Sequence, residues 1–192
     1  MSRSTVVYFL ALCAVVLLPV TGCLRAQNES SGEELAAKLH HALIEEMDYV
    51  SDIRVLKFIS FENRNFVLYY YKVGQMENEH LMHFEIINDR VVLDNGPGNM
   101  IIATEEEQLT VSGYAFSEPS ATGEENWIYL VYGHSMNPKI RKVEVDFIGG
   151  EIKSQEIDGL GGYIIPIKVQ HYPGFIEIRG LDKDNNVAYR FP

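Results

Sequence analysis

Six histidines and 27 carboxylate side chains are the groups in this 192-residue chain that could carry acid–base or metal chemistry. Their spacing decides what they can do. His80-Leu81-Met82-His83-Phe84-Glu85 invites a metal-site reading. Alternation along a strand, however, sends His80 and His83 to opposite faces, so the two cannot close on one ion. Only His83 and Glu85 share a side, while Met82, Phe84 and Ile86 take the other, apolar side; the pattern predicts a solvated strand face. His40 and His41 are adjacent on a helix and diverge by about 100°. His134 and His171 stand alone. The sequence has no HExxH pattern, Walker loop or GxSxG nucleophile elbow. A hydrolase would have to assemble its site from dispersed residues such as His83, Glu85 and His134.

Two other stretches imitate known chemistry. Asp182-Lys183-Asp184-Asn185-Asn186 has the D-x-D-x-N opening of a calcium loop. Such a loop needs Gly at its sixth place and a bidentate Glu at its twelfth. Here the sixth place is Val187 and the twelfth falls past Pro192, so a hairpin turn is expected. Gly159-Leu160-Gly161-Gly162 lies between strands and lacks the following helix that a phosphate cradle requires. Tyr69-Tyr70-Tyr71 is the aromatic cluster of interest: alternation puts Tyr69 and Tyr71 on one face, where exposed rings could grip a partner.

The elements that must position these groups are legible from periodicity. Ser31-Gly32-Glu33-Glu34 has capping-box spacing. Leu35, Leu39, Leu43 and Met47 then recur at helical intervals, predicting a helix from Glu33 to Tyr49. Arg54–Phe61, Phe66–Val73, His80–Ile87 and Arg90–Leu93 read as an antiparallel meander, with Gln75 to Glu79 as a turn and Met100–Ala103 as a fifth strand. Gln108–Phe116, Asn126–His134, Ile140–Phe147, Glu151–Ile157, Tyr163–Val169, Phe175–Leu181 and Val187–Phe191 follow as seven short strands, the spacing of a β-sandwich. Ser117 to Glu125, with Pro119 and Gly123, is expected to be an exposed loop.

Ahead of the helix, Arg3 supplies a positive start, Val6 to Val20 an uncharged apolar run, and Gly22 a small residue before Cys23. This is the three-part form of an export signal. The run is shorter than the roughly 20 residues of a spanning helix, and Pro19 interrupts it. Val20-Thr21-Gly22-Cys23 resembles the lipobox of bacterial lipoproteins. The resemblance implies cleavage before Cys23, acylation of that residue with diacylglycerol and palmitate-type chains, and anchorage on the outer face of the cytoplasmic membrane. The implied organisation is a signal peptide (1–22), a lipidated tether (23–32), an α+β domain (33–105) and a β-sandwich domain (106–192).

Asn137 to Val145, Gly162 to Pro166 and Ile178 to Asp182 with Asn186 are similar to the strand-and-turn pattern of immunoglobulin-like β-sandwich modules in uncharacterised lipoproteins of Gram-positive bacteria. That resemblance implies a mainly β fold, a helix-plus-meander unit followed by a seven-stranded immunoglobulin-like sandwich. It names no catalytic residue.

Charge and cysteine content narrow the partners. Loss of residues 1–22 leaves 15 basic against 27 acidic residues, a net charge of −12. A nucleic-acid binder needs the opposite, and anionic lipid repels such a body. Cys13 leaves with the signal and Cys23 carries lipid, so no thiol remains for a disulfide, a metal or nucleophilic catalysis. The expectation is an envelope module that is not an enzyme, needs no cofactor, meets the membrane through Cys23 and binds an envelope protein. An envelope hydrolase and a small-molecule carrier are the alternatives.

Overall fold

The structure is a computed structural model, and it describes residues 20–47, 49–94, 101–102, 109–119, 125–157 and 161–191. The apolar run ahead of Val20 and the division at 105/106 lie outside these. The chain divides into two units, Met1–Lys38 and Leu39–Pro192. Helix α1 (Val20–Glu46) begins well before Glu33 and stops short of Tyr49. Leu24 to Gln27 are good helix formers and carry the helix through Ser31, so the Ser31–Glu34 spacing lies inside it and does not cap its start. In the first unit Lys38 pairs with Glu34 one turn earlier at 2.9 Å.

Every described strand belongs to the second unit. β1 (Ser51–Phe61), β2 (Arg64–Val73), β3 (Met76–Ile87) and β4 (Arg90–Asp94) form an antiparallel meander, and β5 (Ile101–Ile102) pairs with the start of β3. Its hairpins are two-residue turns of the primed type, whose twist matches that of the strands. Glu62 and Asn63 both have positive φ, as do Asn88 and Asp89, and Gly74 opens the middle turn, between β2 and β3, at φ +61°. Gly74-Gln75 is thus the whole turn, and the expected turn over Gln75 to Glu79 is corrected: Met76 to Glu79 already belong to β3.

The remaining seven strands make two sheets. β6 (Ser112–Pro119), β7 (Glu125–His134) and β10 (Gly162–Val169) have the order β10-β7-β6, while β8 (Lys142–Phe147), β9 (Ile152–Glu156), β11 (Phe175–Leu181) and β12 (Val187–Phe191) have the order β12-β11-β8-β9. The fold is mainly β, with a helix and a sandwich, as the periodicity predicts. The sandwich's fourth strand, β9, pairs with the third; in immunoglobulin constant domains the fourth lies beside the fifth. Ser117 to Pro119 and Glu125 are corrected from loop to strand, pairing across the β6–β7 ladder. Pro119 is tolerated because β6 is an edge strand.

The three-stranded sheet is buried on both sides. Val131, Tyr163, Ile165 and Ile167 face Val143, Val145, Phe147 and Ile178 of the four-stranded sheet. On the opposite side Ile128, Leu130, Tyr132 and Ile164 meet Leu56, Phe66, Leu68 and Leu81 of the meander. The meander and the sandwich therefore share one apolar layer. Gly162 permits the contact: a Cβ there would stand 2.7 Å from Leu56 Cβ and 2.9 Å from the Leu56 carbonyl carbon. Lys168 Nζ to Glu62 at 2.7 Å and Arg64 Nε to Glu118 at 3.3 Å tie the same two layers at their rims.

The meander's other face carries Val67, Tyr69, Met82 and Phe84, all buried, and Tyr69 donates to Met47 Sδ at 3.6 Å. The expectation of an exposed Tyr69–Tyr71 patch is corrected. Tyr69 is 0% and Tyr71 7% exposed, because the chain at Leu39, Leu43 and Met47 is buried on that side of the unit. His80 Nδ1 lies 3.0 Å from the Tyr69 hydroxyl, and its Nε2 is buried without a partner among the described residues. The low-cost arrangement has Nδ1–H donating to Tyr69 and an unprotonated Nε2.

Two outcomes follow. Gly162→Ala should lower stability by about 1–3 kcal/mol, since the added methyl overpacks backbone; equilibrium urea denaturation reads this. Burial holds the His80 imidazole below its usual 6.5. The unfolded chain therefore takes up the proton first as pH falls through about 6.5, and stability is full above that pH and declines below it. His80→Phe should flatten this part of the stability–pH curve.

Candidate functional site

The inner face of the meander, which meets the sandwich, carries Glu79, Leu81, His83 and Glu85 in alternation along β3. Strand geometry separates Glu79 from His83 by about 13 Å, and different things happen at the two ends.

At the Glu79 end the chain builds a closed polar network. Glu79 is 0% and Thr110 1% exposed. Thr110 Oγ1 donates to Glu79 Oε2 at 2.9 Å, and His134 Nδ1 meets Glu79 Oε1, so both carboxylate oxygens are engaged. The Thr110 hydroxyl oxygen accepts from the His134 backbone N–H at 2.8 Å, and the Thr110 N–H donates to the His134 carbonyl at 2.9 Å. Tyr163 donates its hydroxyl to the Thr110 carbonyl at 2.6 Å. Burial, helped by the Glu79 charge, pushes the Tyr163 phenol well above its ordinary value, so it stays a donor. Gly133 is required here, because a Cβ would stand 2.1 Å from the Thr110 carbonyl oxygen. The ring of His134 meets Tyr70 edge-on at 6.4 Å.

A carboxylate that orients an imidazole is half of a hydrolytic triad. The hydroxyl in this network, however, is fully enclosed and already committed as donor and acceptor. No substrate atom can reach it. The arrangement acts as a lock between β3 and the sandwich, with both Glu79 oxygens and the Thr110 hydroxyl matched.

At the His83 end the sheet face opens into a cleft of about 380 Å³ between β2–β4 and the edge strand β6. Phe66, Tyr114 and Phe116 form its aromatic wall, with Tyr114 and Phe116 centroids 5.4 Å apart. Arg64 lies over the Phe116 ring at 4.5 Å and is held there by Glu118. His83 sits edge-on to Phe66 at 5.7 Å, with Nδ1 3.8 Å from Asp94 Oδ2. Glu85 and Asn63 complete the polar rim.

The three dispersed residues named from sequence are thus divided: His83 and Glu85 share the cleft, and His134 belongs to the lock. Arg64 belongs to β2, two residues ahead of the strand start expected at Phe66, and lines the cleft. Glu79 was hidden by the misplaced turn; its parity with Leu81 and His83 is the signal that would have found it. The Asp182 loop forms the expected hairpin turn. Asp182 Oδ1 accepts from the backbone N–H of Asp184 at 2.8 Å and of Asn186 at 2.9 Å, and the Asn186 bond leads in holding this carboxyl below its usual range. Among the described residues no cluster of three His, Cys, Asp or Glu side chains could hold a metal, and no helix is long and apolar enough to cross a membrane. The backbone of Cys23 lies in α1. No known protein family, curated protein or solved structure matches the chain.

Glu79→Ala and His134→Ala should each lower stability by on the order of 3 kcal/mol, as expected for orphaning one member of a buried pair. The double variant should lose clearly less than the sum of the two. Urea denaturation of all three decides it, and strict additivity would show that the pair is not coupled.

Proposed function

We propose that this chain is a lipid-anchored module on the outer face of the bacterial cytoplasmic membrane that binds a ligand and does no chemistry on it. The cleft lined by Arg64, His83, Glu85, Asp94 and Tyr114 carries this reading: it is a concave site where polar side chains converge on an aromatic wall, the usual composition of a ligand seat. An envelope partner protein delivers or receives what the cleft holds. Support for the location comes from Val20-Thr21-Gly22-Cys23 behind the apolar run; two or more acyl chains on Cys23 anchor stably where one does not. The net charge of −12 after processing keeps the body away from anionic lipid.

The binding reading is favoured over a hydrolase because the Glu79 carboxylate and the Thr110 hydroxyl beside His134 are buried and already paired with one another. In the cleft His83 has Asp94 beside it, and no serine or threonine is among the described lining residues.

In detergent phase separation the wild type should partition with the detergent, and Cys23→Ser should move to the aqueous phase or remain as an unprocessed precursor. An exported, mature N-terminus without lipid by mass spectrometry would refute the anchor. The purified chain should show no turnover of esters, phosphoesters, peptides or peptidoglycan. A turnover abolished by His83→Ala would reverse the assignment.

A further inference from the structure

Resting on the reading of the cleft as a ligand seat, we propose that its ligand is a neutral saccharide unit, with a sugar ring against Tyr114 and its hydroxyls held by Arg64, His83, Glu85 and Asp94. The balance of donors and acceptors in the lining selects this chemistry. Arg64 only donates, and ionised Glu85 and Asp94 only accept. Asn63, His83 and the Tyr114 hydroxyl can do either or both. An ammonium ligand has only donors to offer and would face the Arg64 guanidinium. A phosphate has only acceptors and would face two carboxylates within a strongly acidic chain. A sugar hydroxyl both donates and accepts, so of these three it is the one that uses both kinds of lining group without meeting a like charge.

The aromatic wall fits the same chemistry. A pyranose has an apolar face of C–H groups, and the π face of an aromatic ring is its electrostatic complement. The Phe116 face is taken by Arg64, whereas Tyr114 is partly exposed and leans on Phe116 at 32° between ring planes. Arg64 is fixed by Phe116 and Glu118 before any ligand arrives, so its donors need little further ordering. A volume of about 380 Å³ is at the small end for ligand sites.

The test uses the full chain in a detergent without a sugar head group. Maltose, cellobiose and N,N′-diacetylchitobiose are titrated in solution, isolated cell-wall glycan is tested by co-sedimentation, and spermidine and inorganic phosphate serve as charged probes. NMR signals of the His83 ring report on the cleft. At least one saccharide should bind and shift His83. Glu85→Ala with Asp94→Ala, both exposed positions, should raise Kd at least tenfold, and Tyr114→Leu should do the same with the fold intact by circular dichroism. Binding of a disaccharide points to free sugar as the source, and binding of glycan alone to a polymer; both support the proposal. Spermidine or phosphate binding in place of saccharides, with a shift of the His83 signals, would overturn the saccharide and leave the cleft as a ligand seat. Saccharide binding indifferent to the double variant would overturn the proposal by moving the site elsewhere. No response of His83 to any probe would overturn it together with the reading it rests on.

Discussion

The structure depends on one constraint: the three-stranded sheet β10-β7-β6 must bury both of its faces at once. Leu130 and Val131 are neighbours in β7, point to opposite sides, and are both fully buried. Ile164 and Ile165 repeat this in β10. A fully buried side chain of this size contributes roughly 1.5–3 kcal/mol, so removing either partner sheet would expose a row of such residues to water. The meander and the sandwich are held together by this arithmetic more than by their exposed rim ion pairs, which are individually weak. Gly162 follows from the same constraint, because backbone must approach Leu56 closely enough for the apolar rows to meet.

A shared apolar layer does not by itself fix how two sheets slide past one another. The polar network at Glu79 does. A buried carboxylate tolerates displacement poorly, since each lost hydrogen bond leaves a desolvated oxygen. With Thr110 and His134 both bound to it, β3 has one position relative to β6 and β7. The opposite edge of the sandwich is closed in a similar way. Gln155 of β9 accepts the Ile164 N–H of β10 at 3.0 Å, bridging the two sheets of the sandwich where no strand continues.

That fixed position is also what leaves the cleft. β3 and β4 extend past the edge of β6, so the inner face of the meander loses its covering layer beyond Leu81. His83, Glu85 and Asp94 emerge there beside aromatic rings that are half in the core. The same β3 face is therefore sealed at one end and open at the other. Chemistry-bearing residues occur at both, but only the open end can meet a ligand.

Local order was legible in the sequence. Turn residues such as Asn88-Asp89 and Gly149-Gly150 and the period-2 pattern of Val143, Val145 and Phe147 locate the strands, since these depend on backbone sterics and on which side of a strand meets water. The opposite facing of His80 and His83, and of Tyr70 against Tyr69 and Tyr71, follows from pleat geometry alone. What covers each face is a long-range matter. Tyr69 and Tyr71 read as a surface in the sequence and are core in the fold, because burial depends on Leu39, Leu43 and Met47, some thirty residues away. The pairing of Glu79 with Thr110 and His134 spans 31 and 55 residues, and no local pattern records such a contact. Strand identity and facing are properties of near neighbours along the chain; which faces meet, which polar groups are sealed and where a cleft opens are decided only when distant strands pack.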